Sequence, residues 1–319
     1  MTEKPLMVLW IDGGEAYRCA LGEAGVDDRI EVVSVPMAEP LPKALAARVS
    51  ALLAWKAPAG ALADMPKLRW LQAMTAGVEM WLGRPDLRPD LMLTAARGVH
   101  RVSMPENILA ALFHLTKPIV AAALDQREHR WTRRVSEPLA GKTLAIIGLG
   151  TIGAELARKA SALELRVIGV RRSGLAVPGV EEVFTPDRTD HVLSAADFVL
   201  LLLPSTPDTR DFMGAARLDA MRRDAWLLNF GRGDAVVDAD LVAAVRQGHI
   251  AGAVLDVFRQ EPLPSEHPFW STPGITVWPH VGGLHPARDA LVAGLVADNV
   301  RRFLDGVALT QLVDRTAGY

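Results

Sequence analysis

Six short apolar runs between residues 143 and 280 (TLAIIGLG, LRVIGVRR, DFVLLLLP, AWLLNFG, AGAVLDVF and ITVWPH) are separated by stretches whose apolar residues recur at helical spacing. Runs that are apolar throughout, with no alternation, suit strands buried on both faces; strands that alternate with helices build a parallel sheet with helices on both sides. The pattern predicts a doubly wound α/β domain. A second series of the same kind precedes it, in LMVLWID (6–12), IEVVSVP (30–36), ALLAW (51–55), LRWLQAM (68–74) and LMLTAA (91–96), punctuated by Pro, Gly and Asp.

Between the series lies PENILAALFHLTKPIVAAALDQREHRW, periodic as a helix, with Pro105 tolerable at its start and Pro118 placed to kink or split it. The stretch 285–305, HPARDALVAGLVADNVRRFLD, reads as one long amphipathic helix that carries the chain back to the first domain. At 319 residues and 50% hydrophobic content the chain is long enough for two domains of about 150 residues. A net charge of −2 gives no global pull toward nucleic acid or membrane, and runs such as 198–203 are far too short to cross a bilayer. The single cysteine, Cys19, excludes an internal disulfide and a thiolate metal cage, and no metal site is expected. The N-terminus MTEKPLMVLW lacks the basic-then-apolar pattern of a secretion signal, so a cytoplasmic location is expected.

The first strand of the second series ends in GLGTIG, 148–153, and AELARKASALEL follows as a helix. In this setting Gly148 permits a tight turn, Gly150 lets the backbone approach a pyrophosphate and Gly153 allows helix to pack on strand. The N–H groups opening that helix would face the phosphates. The next strand of a dinucleotide-binding sheet usually ends in an acidic residue that holds the ribose hydroxyls of NAD; here Arg171 and Arg172 stand there, followed by Ser173 and Gly174. Guanidinium forks match phosphate oxygens, so this end reads as a pocket for the 2′-phosphate of NADP, with NAD still possible. The alternative is a pair of solvated loop charges.

Arg232 in NFGRGD, Glu261 in FRQEPLP and His280 in WPHVGG follow three successive strands, at the ends where such sheets bind ligands. Reducing a 2-keto acid by hydride needs a cation to clamp the carboxylate and polarise the carbonyl, and an acid to protonate the developing alkoxide. Arg232 suits the first task and His280 the second, with Glu261 orienting the ring and favouring its protonated form. Singly, each has a plain alternative: a turn arginine between glycines, a loop charge before proline, a strand-end histidine satisfied by a carbonyl.

The chain resembles the D-2-hydroxyacid dehydrogenase family over nearly its whole length, in AGVE (76–79), GLGTIG (148–153), LLPSTPDTR (202–210), LLNFGRGDAVVD (227–238), GAVLDVFRQEPLP (252–264) and PHVGG (279–283). The resemblance implies a Rossmann-type cofactor domain, 101–285, inserted into a flavodoxin-like substrate domain made of 1–100 and 286–319, with catalysis in the cleft between them and usually a homodimer. It implies the roles given above for Arg232, Glu261 and His280, and a carboxylate-binding turn at Ala76 and Gly77. It also implies a nicotinamide-amide partner in Asp256. Thr151, Ile152, Leu203, Pro204 and Gly282 complete the expected cofactor-binding set. Trp55 with Lys56 and the arginine pair resemble the NADPH-using glyoxylate/hydroxypyruvate reductase branch; Trp55 is read either as a wall of the side-chain pocket or as a core tryptophan, and Trp278 likewise. PEN at 105–107 departs from the AE-type helix start of relatives. The expected activity is NADPH-preferring reduction of glyoxylate, hydroxypyruvate or a related keto acid to the D-2-hydroxy acid. The rivals are an NAD-dependent relative and a dinucleotide-sensing regulator of the same fold.

Overall fold

The apolar runs pair as parallel strands in two separate sheets of a computed structural model that describes residues 4–318. The chain divides into two units, one running to Val99 and resuming at His285, the other spanning His100–Leu284. In the first, β1 (Leu6–Trp10), β2 (Glu31–Val35), β3 (Val49–Ala54), β4 (Trp70–Ala73) and β5 (Met92–Thr94) lie in the order β2-β1-β3-β4-β5, all parallel. Side chains alternate across a strand, so Leu6, Val8 and Trp10 enter one core with Leu68 and Trp81, while Met7 and Leu9 enter the other with Tyr17, Val296 and Val300. Both faces are covered, which is why these strands lack a polar face in the sequence.

The C-terminal helix begins at Arg288 and ends at Asp305; the preceding residues make a turn closed by Arg288 N–H on His285 O at 3.1 Å. It buries Val292, Val296, Val300 and Phe303 in the first unit. Its fully buried Asn299 donates to Gln72 Oε1 (3.2 Å) and Thr310 O (3.1 Å) and accepts from Thr310 N–H (2.8 Å), fastening the C-terminal segment to β4.

In the second unit, β6 (Thr143–Ile147), β7 (Arg166–Val170), β8 (Glu182–Phe184), β9 (Phe198–Leu201), β10 (Trp226–Asn229), β11 (Gly252–Leu255) and β12 (Ile275–Val277) run parallel in the order β12-β11-β10-β9-β6-β7-β8. The order reverses between β6 and β9, which puts a crevice for ligands beyond the strand ends there. The sequence pattern missed β8. It is a short, partly exposed edge strand that pairs with β7 from Ile168 opposite Glu182, and three residues carry no readable period. Pro118 splits the connecting segment into helices Ser103–Thr116 and Ile119–Arg127, bent by 66°. The proline ring bars the residue before it from helical geometry, and Lys117 is extended at φ −117°, ψ 139°. Among the described residues no single helix is long and apolar enough to cross a membrane.

Candidate active site

The glycine loop leaves β6 where the strand order reverses. Gly148 has φ +109°, and a Cβ there would stand 2.7 Å from Leu202 O, so both the turn and the approach of the β9 end require glycine. A Cβ on Gly150 would meet nothing within 4 Å, and the helix Thr151–Ala162 starts at Gly150 with no side-chain cap. Bare backbone facing open space, beside uncapped helix N–H groups, fits a pyrophosphate. Thr151 is exposed and Ile152 half-buried at this helix start. Leu203 and Pro204, half-buried, follow β9, and Leu203 lies so close to Gly231 that a Cβ there would stand 2.7 Å from its N and O.

The same loop is tied to the arginine turn. Gly148 N–H donates to Val170 O at 3.0 Å, and Arg171 is the next residue. Arg171 N–H donates to Phe184 O (3.0 Å) and its carbonyl accepts from Gly174 N–H (3.2 Å), closing a tight turn with Gly174 at φ +61°. Ser173 Oγ accepts from Leu175 N–H at 3.4 Å. Arg171 is half-buried, whereas Arg172 and Ser173 are exposed. The strand-end turn therefore presents its arginines one strand away from the phosphate-binding loop.

Beyond β10, β11 and β12 the chain builds a second constellation. Asn229, fully buried, donates to Arg232 O (2.9 Å) and accepts from Gly231 N–H (3.1 Å), which fixes the turn that projects Arg232. Gly233 presses on the neighbouring strand end so tightly that a Cβ would lie 1.9 Å from Phe258 C. Phe258 N–H in turn donates to Glu261 Oε1 at 2.9 Å, and Glu261 Oε2 meets His280 Nδ1 at 2.6 Å. His280 itself sits at φ +54°, a left-handed conformation uncommon for residues other than glycine, with its N–H on Trp278 O at 2.9 Å. Buried Asp256 holds the loop from the other side, accepting from Val281 N–H (2.8 Å) and Gly282 N–H (3.0 Å).

The electrostatics follow from these contacts. The hydrogen bond to Glu261 raises the affinity of His280 for its proton; partial burial and the charge of Arg232 oppose it and do not prevail. Burial pushes the Glu261 carboxyl up, but the hydrogen bonds from His280 and Phe258 N–H, with the charges of His280 and Arg232, bring it below its ordinary value. Burial also dominates at Asp256 and raises its pKa against the pull of the two loop N–H groups. With Nδ1 held by Glu261, Nε2 is the ring nitrogen left to act on a reacting oxygen. The arrangement can bind an anion at Arg232 and deliver a proton from His280.

Residues 109–282 match the family model of the D-isomer specific 2-hydroxyacid dehydrogenase, NAD binding domain. The chain belongs to the D-isomer specific 2-hydroxyacid dehydrogenase family. Membership makes it an NAD(P)-dependent oxidoreductase. Among its relatives is glyoxylate/hydroxypyruvate reductase A of Photorhabdus laumondii, 30% identical over 84% of this chain and 87% of that one. A D-isomer specific 2-hydroxyacid dehydrogenase of Xanthobacter autotrophicus Py2, solved with NADPH and MES, is 30% identical with a TM-score of 0.87 over 99% of this chain and 100% of that one. The NADPH-dependent glyoxylate/hydroxypyruvate reductase of Sinorhizobium meliloti, solved with NADP and sulfate, is 32% identical with a TM-score of 0.83 over the same shares, 99% and 100%.

Other family-suggested residues lie in the first unit. The turn after β4 holds Ala76 and Gly77, with Thr75 Oγ1 donating to Gly77 O at 2.6 Å. Trp55, just past β3, is 40% exposed with the Arg288 guanidinium 5.2 Å from its ring centroid, so it is not a core tryptophan. Arg288 also donates to Met74 O at 2.7 Å. Trp278 packs edge-on against Phe230 at 5.8 Å between ring centroids. Sequence reasoning passed over Asn229 and Asn107. Asn107 lies in the PEN departure and donates to Gly282 O at 2.9 Å. The asparagine inside LLNFGRG was the available signal for Asn229, since a buried amide beside a Gly-flanked turn is the kind of side chain that holds main-chain groups.

Proposed function

We propose that this protein reduces small 2-keto acids, glyoxylate, hydroxypyruvate or a near relative, to D-2-hydroxy acids and prefers NADPH. The observation that carries the reading is the 2.6 Å contact of His280 Nδ1 with Glu261 Oε2, under the charge of Arg232, at the strand ends of the dinucleotide-binding unit. A nicotinamide held at the glycine loop would supply the hydride. Arg232 clamps the substrate carboxylate and draws charge onto the keto oxygen, and protonated His280 gives that oxygen a proton from Nε2 as it turns into a hydroxyl. Glu261 keeps the imidazole charged and in register until then. Ala76, Gly77 and Trp55 serve the substrate. Thr151, Ile152, Leu203, Pro204, Asp256 and Gly282 serve the dinucleotide, and Arg171, Arg172 and Ser173 its 2′-phosphate.

A homodimer in the cytoplasm is the proposed working form. Its support is a set of exposed apolar side chains on the second unit, Ile119 (59%), Trp131 (93%) and Val135 (96%) among them, together with a lone free cysteine, Cys19. The reading is tested by following NADPH oxidation with a panel of keto acids and by the chirality of the product. D-product from a small keto acid is expected; tight dinucleotide binding without turnover on any keto acid would overturn it in favour of a dinucleotide-sensing regulator.

A further inference from the structure

The loop that carries His280 runs on through Val281 into Gly282 and Gly283, two buried glycines whose backbone is intrinsically pliable. Neither position has room for a side chain. A Cβ on Gly282 would stand 2.6 Å from Asp256 Oδ2 and 3.0 Å from Phe230 Cδ1, and one on Gly283 would stand 3.0 Å from His100 Nδ1. The close fit requires glycine, so hydrogen bonds have to hold the loop. On one side Asp256 accepts from the N–H groups of Val281 (2.8 Å) and Gly282 (3.0 Å). On the other, Asn107 Nδ2 donates to Gly282 O at 2.9 Å from a position 175 residues away in the chain. Gly282 is therefore fixed at both of its main-chain polar groups, two residues past a histidine held at φ +54°. The helix that supplies Asn107, Ser103–Thr116, is a firm support: Ile108, Ala111 and Leu112 are buried with Ile146, Leu156 and Phe230. Lys159, on the helix that opens at the glycine loop, donates to Glu106 Oε1 at 2.9 Å.

We infer that Asn107 is a positioning residue for the acid/base step: by holding the Gly282 carbonyl it keeps the His280 imidazole against Glu261. The inference rests on the proposed role of His280 as proton donor. An amide N–H can donate to a carbonyl, whereas a carboxylate or an aliphatic side chain in the same place cannot. Without Asn107 the Gly282 carbonyl loses this donor inside the protein, and a glycine pair is free to rotate toward another. The contact of His280 Nδ1 with Glu261 Oε2, 2.6 Å long, would be the first to suffer, because hydrogen bonds weaken steeply once misaligned. Glu261, Asp256 and Arg232 are the charges that act on the imidazole; the first two raise its proton affinity and Arg232 lowers it. A loop that drifts from Glu261 and Asp256 therefore yields a histidine that gives up its proton at lower pH.

The experiment compares the parent with Asn107→Leu, a near-isosteric change that removes the donor. The His280 imidazole is titrated by NMR of labelled histidine, with His280→Ala to assign the signal, and kcat and KM for glyoxylate are measured with NADPH across pH. In Asn107→Leu the His280 titration and the basic limb of the reduction profile should both move down by about half a pH unit or more. Losing one hydrogen bond to a buried carbonyl should lower kcat by roughly threefold to thirtyfold, with the keto-acid KM changed much less. A purely structural role would lower the midpoint of denaturant unfolding and leave the His280 titration where it was. A titration at the parent's value therefore overturns the inference whatever happens to stability, and so does parent-like kcat across the pH range. If Asn107→Leu does not fold, Asn107→Ser, whose hydroxyl is too short to reach the carbonyl, takes its place in both measurements. If the parent reduces no keto acid, the functional reading fails by itself, while the His280 titration still tests whether Asn107 holds the imidazole on Glu261.

Discussion

Replacing Arg171 with alanine should cost most of the preference for NADPH, and replacing Arg172 much less. The asymmetry comes from the turn. Arg171 is half-buried with its main chain pinned on both sides, by its N–H on Phe184 O at 3.0 Å and its carbonyl accepting from Gly174 N–H at 3.2 Å, whereas Arg172 is exposed. A charge-assisted hydrogen bond from a pinned, partly desolvated arginine to a phosphate contributes about 1.5–3 kcal/mol, and an exposed pair about 0–1 kcal/mol. At about 1.4 kcal/mol per tenfold, Arg171→Ala should lower the NADPH:NADH ratio of kcat/KM roughly tenfold to hundredfold, and Arg172→Ala by about fivefold or less. The double variant should not equal the product of the two, because adjacent side chains sharing one phosphate are coupled. The loss should fall on the NADPH KM, since the 2′-phosphate is remote from the reacting carbon and is held equally in ground and transition states. Steady-state kinetics with each cofactor, at low and at raised salt, read this directly; added salt should narrow the parent's preference. An unchanged ratio in Arg171→Ala, or equal losses for NADPH and NADH, would refute the phosphate pocket. A larger effect at Arg172 would refute the argument from burial.

His280→Ala should abolish reduction while dinucleotide binding, followed by fluorescence titration, stays near the parent's. Glu261→Gln should move the basic limb of the reduction profile to lower pH, because the imidazole loses the partner that raises its proton affinity; an identical profile would mean that Glu261 does not act through His280. The same pair sets a stability window. The raised His280 pKa stabilises the fold at pH below the unfolded imidazole value, about 6.5, and that contribution is lost as pH rises through the folded value. The lowered Glu261 pKa stabilises it above the unfolded carboxyl value, about 4.3, and is lost as pH falls through the folded one, so melting curves of parent and Glu261→Gln should differ most between these limits. Arg232→Lys keeps the charge but loses the bidentate fork, so keto-acid KM should rise and kcat fall together; parent-like values for both would make Arg232 structural. Gly233→Ala places a methyl 1.9 Å from Phe258 C and should destabilise by about 3 kcal/mol or more in denaturant unfolding, with activity lost as the Arg232 and Glu261 turns separate.

What could be read from the sequence was whatever is written in local periodicity or in a contiguous motif. Strands such as β6 and β9 are apolar along their whole length because both faces are covered, and their limits are legible to within a residue or two. GLGTIG is legible because its turn, its phosphate approach and its helix start are consecutive in the chain. Arg232, Glu261 and His280 were each visible as a strand-end residue, since in a parallel sheet the ligand edge is the set of strand C-termini.

Tertiary structure alone decided which of these residues touch. The 2.6 Å contact of Glu261 with His280 exists because β11 and β12 are neighbours in the sheet, and Asp256 grips the histidine loop for the same reason. Strand order leaves no local trace in sequence. Burial is likewise a property of what other segments cover: it set apart half-buried Arg171 from exposed Arg172, left Trp55 at the surface under Arg288, and hid the Nη2 of Arg97 where no acceptor among the described residues reaches it. Neighbouring letters do not record these differences, because each depends on chain tens to hundreds of residues away. Residue types set the chemistry this chain can offer, and the packing of distant strands decides which groups are desolvated enough to use it.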